Sequence, residues 1–122
     1  MKVNNKYLIT LIIGILFFNV SKAQSNLQFN QVKLVTTVDT VPAKKVWKVE
    51  SVLYSNANTN SYISLNGTSL LVRYINYVQI GTTGVASLIW EMKYPFWLPA
   101  GSTLAKSTNV ESISIMEYDI VP

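Results

Sequence analysis

The chain contains neither histidine nor cysteine, which removes most of the side-chain chemistry open to an enzyme. Ser-His-Asp and Cys-His nucleophiles are excluded, as are the usual zinc and copper ligand sets. No GxxxxGK[ST] or GxGxxG loop is present to cradle a phosphate. The carboxylates that remain are Glu50, Glu91, Glu111 and Glu117, with Asp39 and Asp119. A pair of carboxylates can hydrolyse a glycosidic bond. Glu50 and Glu91, however, each stand two residues from a lysine, Lys48 and Lys93, and read as solvated charges on the polar face of a strand. No acidic loop has calcium-ligand spacing, and no spacing favours a Ser-Lys dyad. The residues describe a protein without catalysis, cofactor or metal.

Aromatic side chains offer binding instead. Trp90, Tyr94, Phe96 and Trp97 fall close together, with Tyr74 and Tyr77 upstream. Exposed Trp and Tyr rings stack on the apolar faces of sugars, and the Asn and Thr of segments 56–61 and 81–84 can take the hydroxyls. The competing reading places Trp90 and Tyr94 in the core and packs Phe96 or Trp97 over one end of the fold. Trp97 is the exception, because its neighbour Phe96 takes the inward side. The candidate binding residues are Trp97, Phe96, Tyr94 and Tyr77.

The N-terminus addresses the protein and stands apart from this chemistry. Lys2 and Lys6 flank the start of an almost unbroken apolar run over 7–20, and Ser21-Lys22-Ala23 closes it with small residues. That is the pattern of a cleaved signal peptide over 1–23; the run is shorter than the ~20 residues of a membrane-spanning helix. The mature domain then covers 24–122, secreted to the periplasm, the cell surface or the medium, with no membrane span after cleavage. Ten Lys plus Arg oppose six Asp plus Glu; Lys2, Lys6 and Lys22 leave with the leader, so seven against six leaves +1. Nucleic acid is not an expected partner at that charge. Without a disulfide, packing alone must hold the domain.

The positioning elements are strands. Val, Ile, Thr and aromatic runs alternate with turn residues, and no segment has a helical period. Segment 46–55 alternates, with Trp47, Val49, Ser51 and Leu53 on one face and Lys48 and Glu50 on the other. Asn66-Gly67 predicts a type I′ hairpin, and 81–84 (GTTG) ends its second arm. Segment 85–94 puts Ala86, Leu88, Trp90, Met92 and Tyr94 on one face. Pro95 and Pro99 confine 96–98 to an edge or an irregular strand. Segment 110–120 closes the chain, with a bulge expected between Ile115 and Met116. The lead-in 24–31 reads as a polar segment that pairs late or frays. The expected fold is an all-β, antiparallel two-sheet sandwich of seven or eight short strands, jelly-roll-like or Ig-like.

Hydrophobic-Pro-Ala occurs twice, as Val41-Pro42-Ala43 and Leu98-Pro99-Ala100, each before a strand. With Lys44-Lys45 and Trp47, Asn66-Gly67, Gly101 and the closing run Ile113-Ser114-Ile115-Met116-Glu117-Tyr118, these turns come in a familiar order. The chain resembles the small β-sandwich domains of phage tail appendages and of short exported Bacteroidota proteins, over most of the mature segment. The resemblance implies a sandwich fold and a binding or assembly role, and carries no catalytic residue. Lys44 departs from the pattern, which has Gly there; a position needing positive φ would strain a lysine. Asn66-Gly67-Thr68 is a formal N-glycosylation sequon that the hairpin already explains, and Asp39-Thr40-Val41 looks like a Bacteroidota O-glycosylation site. The expected function is an exported interaction module working through sheet faces or edges, with a protein partner or a second copy. A carbohydrate-binding module for a neutral polysaccharide, centred on Trp97, is the alternative.

Overall fold

Runs of Val, Ile, Thr and Tyr between Gly, Pro and Asn fold as strands throughout. The computed structural model describes residues 26–122; the expected leader over 1–23 and its cut before Gln24 lie outside them. The strands are β1 (Asn26–Val35), β2 (Asp39–Thr40), β3 (Lys45–Tyr54), β4 (Ser61–Leu65), β5 (Thr68–Ile80), β6 (Thr83–Glu91), β7 (Phe96–Leu98), β8 (Thr103–Lys106) and β9 (Val110–Val121). Nine strands form where seven or eight were expected, the addition being the two-residue β2. They make a four-stranded sheet, β1-β9-β3-β7, and a five-stranded sheet, β2-β8-β4-β5-β6, with every pairing antiparallel. Trp47, Val49, Val52, Ile113 and Ile115 of the first sheet meet Ile63, Val72 and Leu104 of the second in one core. The two-layer sandwich is thus observed. Among the described residues no helix is long and apolar enough to cross a membrane.

The two Pro-Ala turns are neighbours in space. Lys45 N–H donates to Pro42 O at 3.2 Å and Ser102 N–H donates to Pro99 O at 3.1 Å, so both close in the same way. They also bond to each other: Val41 N–H to Ser102 O, and Gly101 N–H to Val41 O, each at 2.9 Å. Gly101 has φ +85° and Lys44 has φ +61°, so the first turn does take the left-handed conformation that burdens a lysine. Ile120 N–H donates to the Lys44 carbonyl at 2.9 Å, which ties this turn to β9. Asn66 and Gly67 both have positive φ, as a type I′ hairpin requires.

Bulges decide which side chains reach the core, and their positions differ from expectation. In β3 the register slips between Val49 and Ser51. The buried series therefore passes from Val49 to Val52, and Leu53 turns outward with 60% of its surface exposed. Ser51 and Leu53 were expected inside. Strand β9 runs without interruption from Ile113 to Tyr118, so no bulge separates Ile115 from Met116. The inward position after Ile115 then belongs to Glu117, not Met116. In β6 a slip between Leu88 and Trp90 turns Trp90 away from the face of Leu88, and the strand ends at Glu91, before Tyr94. The lead-in also differs: β1 pairs with β9 from Asn26 onward.

The bulge in β3 predicts an asymmetry between adjacent residues. Val52→Asp places an unpaired carboxylate in the core and costs at least about 3 kcal/mol. Leu53→Asp costs less than about 1 kcal/mol. Urea titrations followed by tryptophan fluorescence measure both, and a larger loss from Leu53→Asp than from Val52→Asp would mean that β3 runs straight.

Candidate functional site

The densest group of charged side chains surrounds Trp47 at the row where Gln31, Glu117 and Trp47 stand side by side on β1, β9 and β3. Glu117 is only 3% exposed. Its Oε2 accepts from Trp47 Nε1–H at 2.8 Å. Its Oε1 accepts from Lys45 Nζ at 2.8 Å, Asn30 Nδ2 at 2.9 Å and Gln31 Nε2 at 3.0 Å. The slip in β1 between Phe29 and Gln31 lets two consecutive side chains reach one oxygen. Burial pushes the carboxyl up, but the bonds from Lys45, Trp47 and Gln31 outweigh it and hold it at about 2. Glu117 and Asp119 raise the Lys45 ammonium. On the other side of Trp47, the Lys33 ammonium lies 5.3 Å from the ring centroid and pairs with Asp39. Both oxygens of Glu117 have donors within the fold, three on Oε1 and one on Oε2, so the group works as a structural tie.

The other carboxylates are also engaged or isolated. Glu50 pairs with Lys48 at 2.7 Å, as their alternation suggested. Glu91 takes the Tyr54 hydroxyl at 2.8 Å instead of Lys93. Glu111 is exposed. No three of His, Cys, Asp and Glu among the described residues are grouped to hold a metal.

The four aromatic candidates occupy three places. Trp97, on edge strand β7, is 49% exposed on the outer face of the four-stranded sheet. Its ring lies 5.5 Å from Tyr118, which stands 6.0 Å from Phe29, and Lys48 Nζ lies 5.9 Å from Trp97. Phe96 points the other way, half-buried against the core, with Tyr94 stacked on it at 5.9 Å. Tyr77 belongs to the opposite sheet and is 56% exposed. Only Tyr94 and Phe96 come together.

Tyr77 lies on a feature the residue pattern did not disclose. Strand β5 has 13 residues and its neighbour β4 has 5; their pairing ends where Ser61 meets Arg73. Beyond that point β5 and β6 continue alone as a two-stranded ribbon closed by Gly81-Thr82, with Gly81 at positive φ. One face carries Ile75, Tyr77 and Leu88, the other Tyr74, Val78, Val85 and Trp90. Nothing from Tyr74 to Trp90 is fully buried, and β6 gives no residue to the buried core. The Tyr77 ring lies across Gly84, where a Cβ would stand only 1.7 Å from its hydroxyl. Gly84 is therefore part of β6 and not of a polar loop. A ribbon this long with two open edges is marginal in water by itself.

The root of this arm is fastened to the sandwich. Arg73 is buried, with its guanidinium 4.4 Å over the Tyr54 ring. Its Nη2 donates to the carbonyls of Asn56, at 3.3 Å, and Ala57. The Ile75 N–H, left without a β4 partner, donates to Asn60 Oδ1 at 2.8 Å. Burial raises the Tyr54 and Tyr94 phenols, Tyr54 also through its bond to Glu91. Between the arm and loop 56–58 lies an open cleft of about 280 Å³ bordered by Tyr54, Asn58, Arg73, Leu88 and Glu91. The signal that could have exposed the arm is the absence of any Asp, Glu, Lys or Arg between Arg73 and Glu91.

Glu117 gives the fold a defined acid response. Its folded pKa lies below the ordinary glutamate value, so its stabilisation is complete above about pH 4.5 and is lost as pH falls toward about 2. Glu117→Gln turns one acceptor into a donor facing donors and costs about 3 kcal/mol near neutrality. The variant's stability then declines less than the native chain's between those pH values. Urea denaturation at a series of pH values measures this, and parallel declines would mean that Glu117 does not titrate with folding.

The chain matches no family model, no curated protein and no solved structure, so no residue role carries over to it from a relative.

Proposed function

We propose that this is an exported, non-enzymatic interaction module that docks through the β5–β6 arm. The observation that carries the reading is the uncharged ribbon from Tyr74 to Trp90, apolar on both faces and held clear of the core. Exposed apolar surface of this extent marks an interaction site. The short leader-like run at 7–20 supports export. Absence of His and Cys, and the engagement of Glu50, Glu91 and Glu117 by their own neighbours, support a role without catalysis. The resemblance to appendage and exported sandwich domains points the same way.

A photo-activated cross-linking residue at Val85, in the cells that make the protein, tests this reading. A discrete protein adduct is expected from Val85 and none from the same residue at Glu111. No adduct from the arm would remove the docking role.

Trp97 favours a second reading, because its ring is half exposed above Tyr118 beside a cation. A sugar could stack there, although the ring is inclined by 47° to Tyr118, and Tyr118 by 77° to Phe29. On this reading Trp97→Ala abolishes retention on a neutral polysaccharide while Tm moves by no more than about 4 °C. Retention equal to that of the native chain would end the carbohydrate reading.

A further inference from the structure

We infer that the partner of the arm is a second copy of this chain, joined by antiparallel pairing of the two β6 edges about a two-fold axis. The inference rests on the docking role proposed above and adds the identity of what is docked. Four strands end the two sheets, and three of them are guarded; past Arg73 the outer side of β5 is open as well, with its Ile75 N–H taken by Asn60. Strand β7 has three residues between Pro95 and Pro99, β2 has two, and β1 is interrupted by a bulge and carries Lys33. Short length, proline, bulges and lysine are the devices that block edge-to-edge pairing. Strand β6 has nine residues, and from Thr83 to Trp90 it holds no charge and no proline; its bulge, at Ile89, lies near its far end and leaves Thr83 to Leu88 in regular register.

That neutrality suits a copy of itself. In a two-fold contact each residue near the axis meets its own kind, so a single charge there would face a like charge. An uncharged strand carries no such penalty. Apolar surface is available beside the junction. The large apolar side chains between Tyr74 and Trp90, Ile75 aside, are each 39% to 62% exposed. Over both faces of the arm they present on the order of 800 Å², of which edge pairing covers the part that lies along β6. Pairing would convert two marginal ribbons into a four-stranded one, in which the apolar side chains beside the junction meet their symmetry mates.

Ser87 tests the contact, because it is exposed near the middle of β6, a strand that gives no residue to the buried core. Light scattering on a sizing column should give the native chain twice its monomer mass. Ser87→Lys and Ser87→Glu should each weaken the dimer by at least about a hundredfold, with Tm in the dilute monomer unchanged. Mixing the two variants in equal amounts should restore a dimer containing one of each. A native chain that is monomeric at all concentrations, or charged variants that remain dimeric, would overturn the inference. The Val85 cross-link separates the two levels. An adduct of twice the chain mass supports the second copy. An adduct with a different protein alone overturns the second copy and leaves docking in place; no adduct removes both.

Discussion

The four-stranded sheet depends on one buried carboxylate. Glu117 stands at an inward position of β9, following the apolar Ile113 and Ile115, and it is satisfied from both neighbouring strands at once: Trp47 and Lys45 of β3, and Asn30 and Gln31 of β1. A buried carboxylate lacking such partners would be neutralised or would unfold its surroundings. Its donors are therefore as much a requirement as the core itself. The bulge at Asn30 exists in a strand whose outward face carries Phe29 and Val32, both exposed. That strand has little apolar surface to bury on the inside before Val35, and the bonds to Glu117 supply what packing does not. Trp47, the largest fully buried side chain, is fixed by the same group through its indole N–H.

This explains which parts of the architecture were legible in the residues. Turns announce themselves locally: Asn66-Gly67 and the two Pro-Ala corners were identifiable because a positive φ or a fixed one needs particular residue types. The two corners being bonded to one another could not be read, since nothing in either turn names its partner. Alternation finds a strand but cannot see an inserted residue, and one bulge reverses every assignment beyond it. That is why Leu53 and Trp90 were assigned to the wrong face while Val49 was not. Glu117 was missed for a different reason. A glutamate between Met116 and Tyr118 resembles a solvated charge, and only four donors gathered from distant positions make the inward place tolerable.

The aromatic residues illustrate the same limit. Proximity along the chain suggested a single surface, but a strand sends neighbours to opposite faces, so Trp97 and Phe96 part at once. The break after Glu91 lets Tyr94 fold back over Phe96. Tyr77, distant from them in space, is employed locally in covering the bare backbone of Gly84. The surface that does stand out, the arm, is defined by a mismatch in length between β4 and β5. Length mismatch is a property of pairing, invisible until the register is known.

The arm also bears on why the rest of the surface is guarded. A domain without disulfides and with few charges has little to prevent its sheets from adding strands indiscriminately. Here the guards are placed unevenly: prolines flank β7, β2 is cut to two residues, and β1 is bent by its bulge. Arg73, by contrast, is buried at the root of the arm, stacking on Tyr54 and holding loop 56–58. The positive charge at the start of the arm, on β5, is thus used to anchor the ribbon. Its cross-strand partner Glu91 is held by Tyr54 at the same root. Both charges that bracket the arm serve to launch it, and the edge between them is left open. Uneven protection of this kind is what the proposed docking role requires, because general stickiness would leave every edge alike.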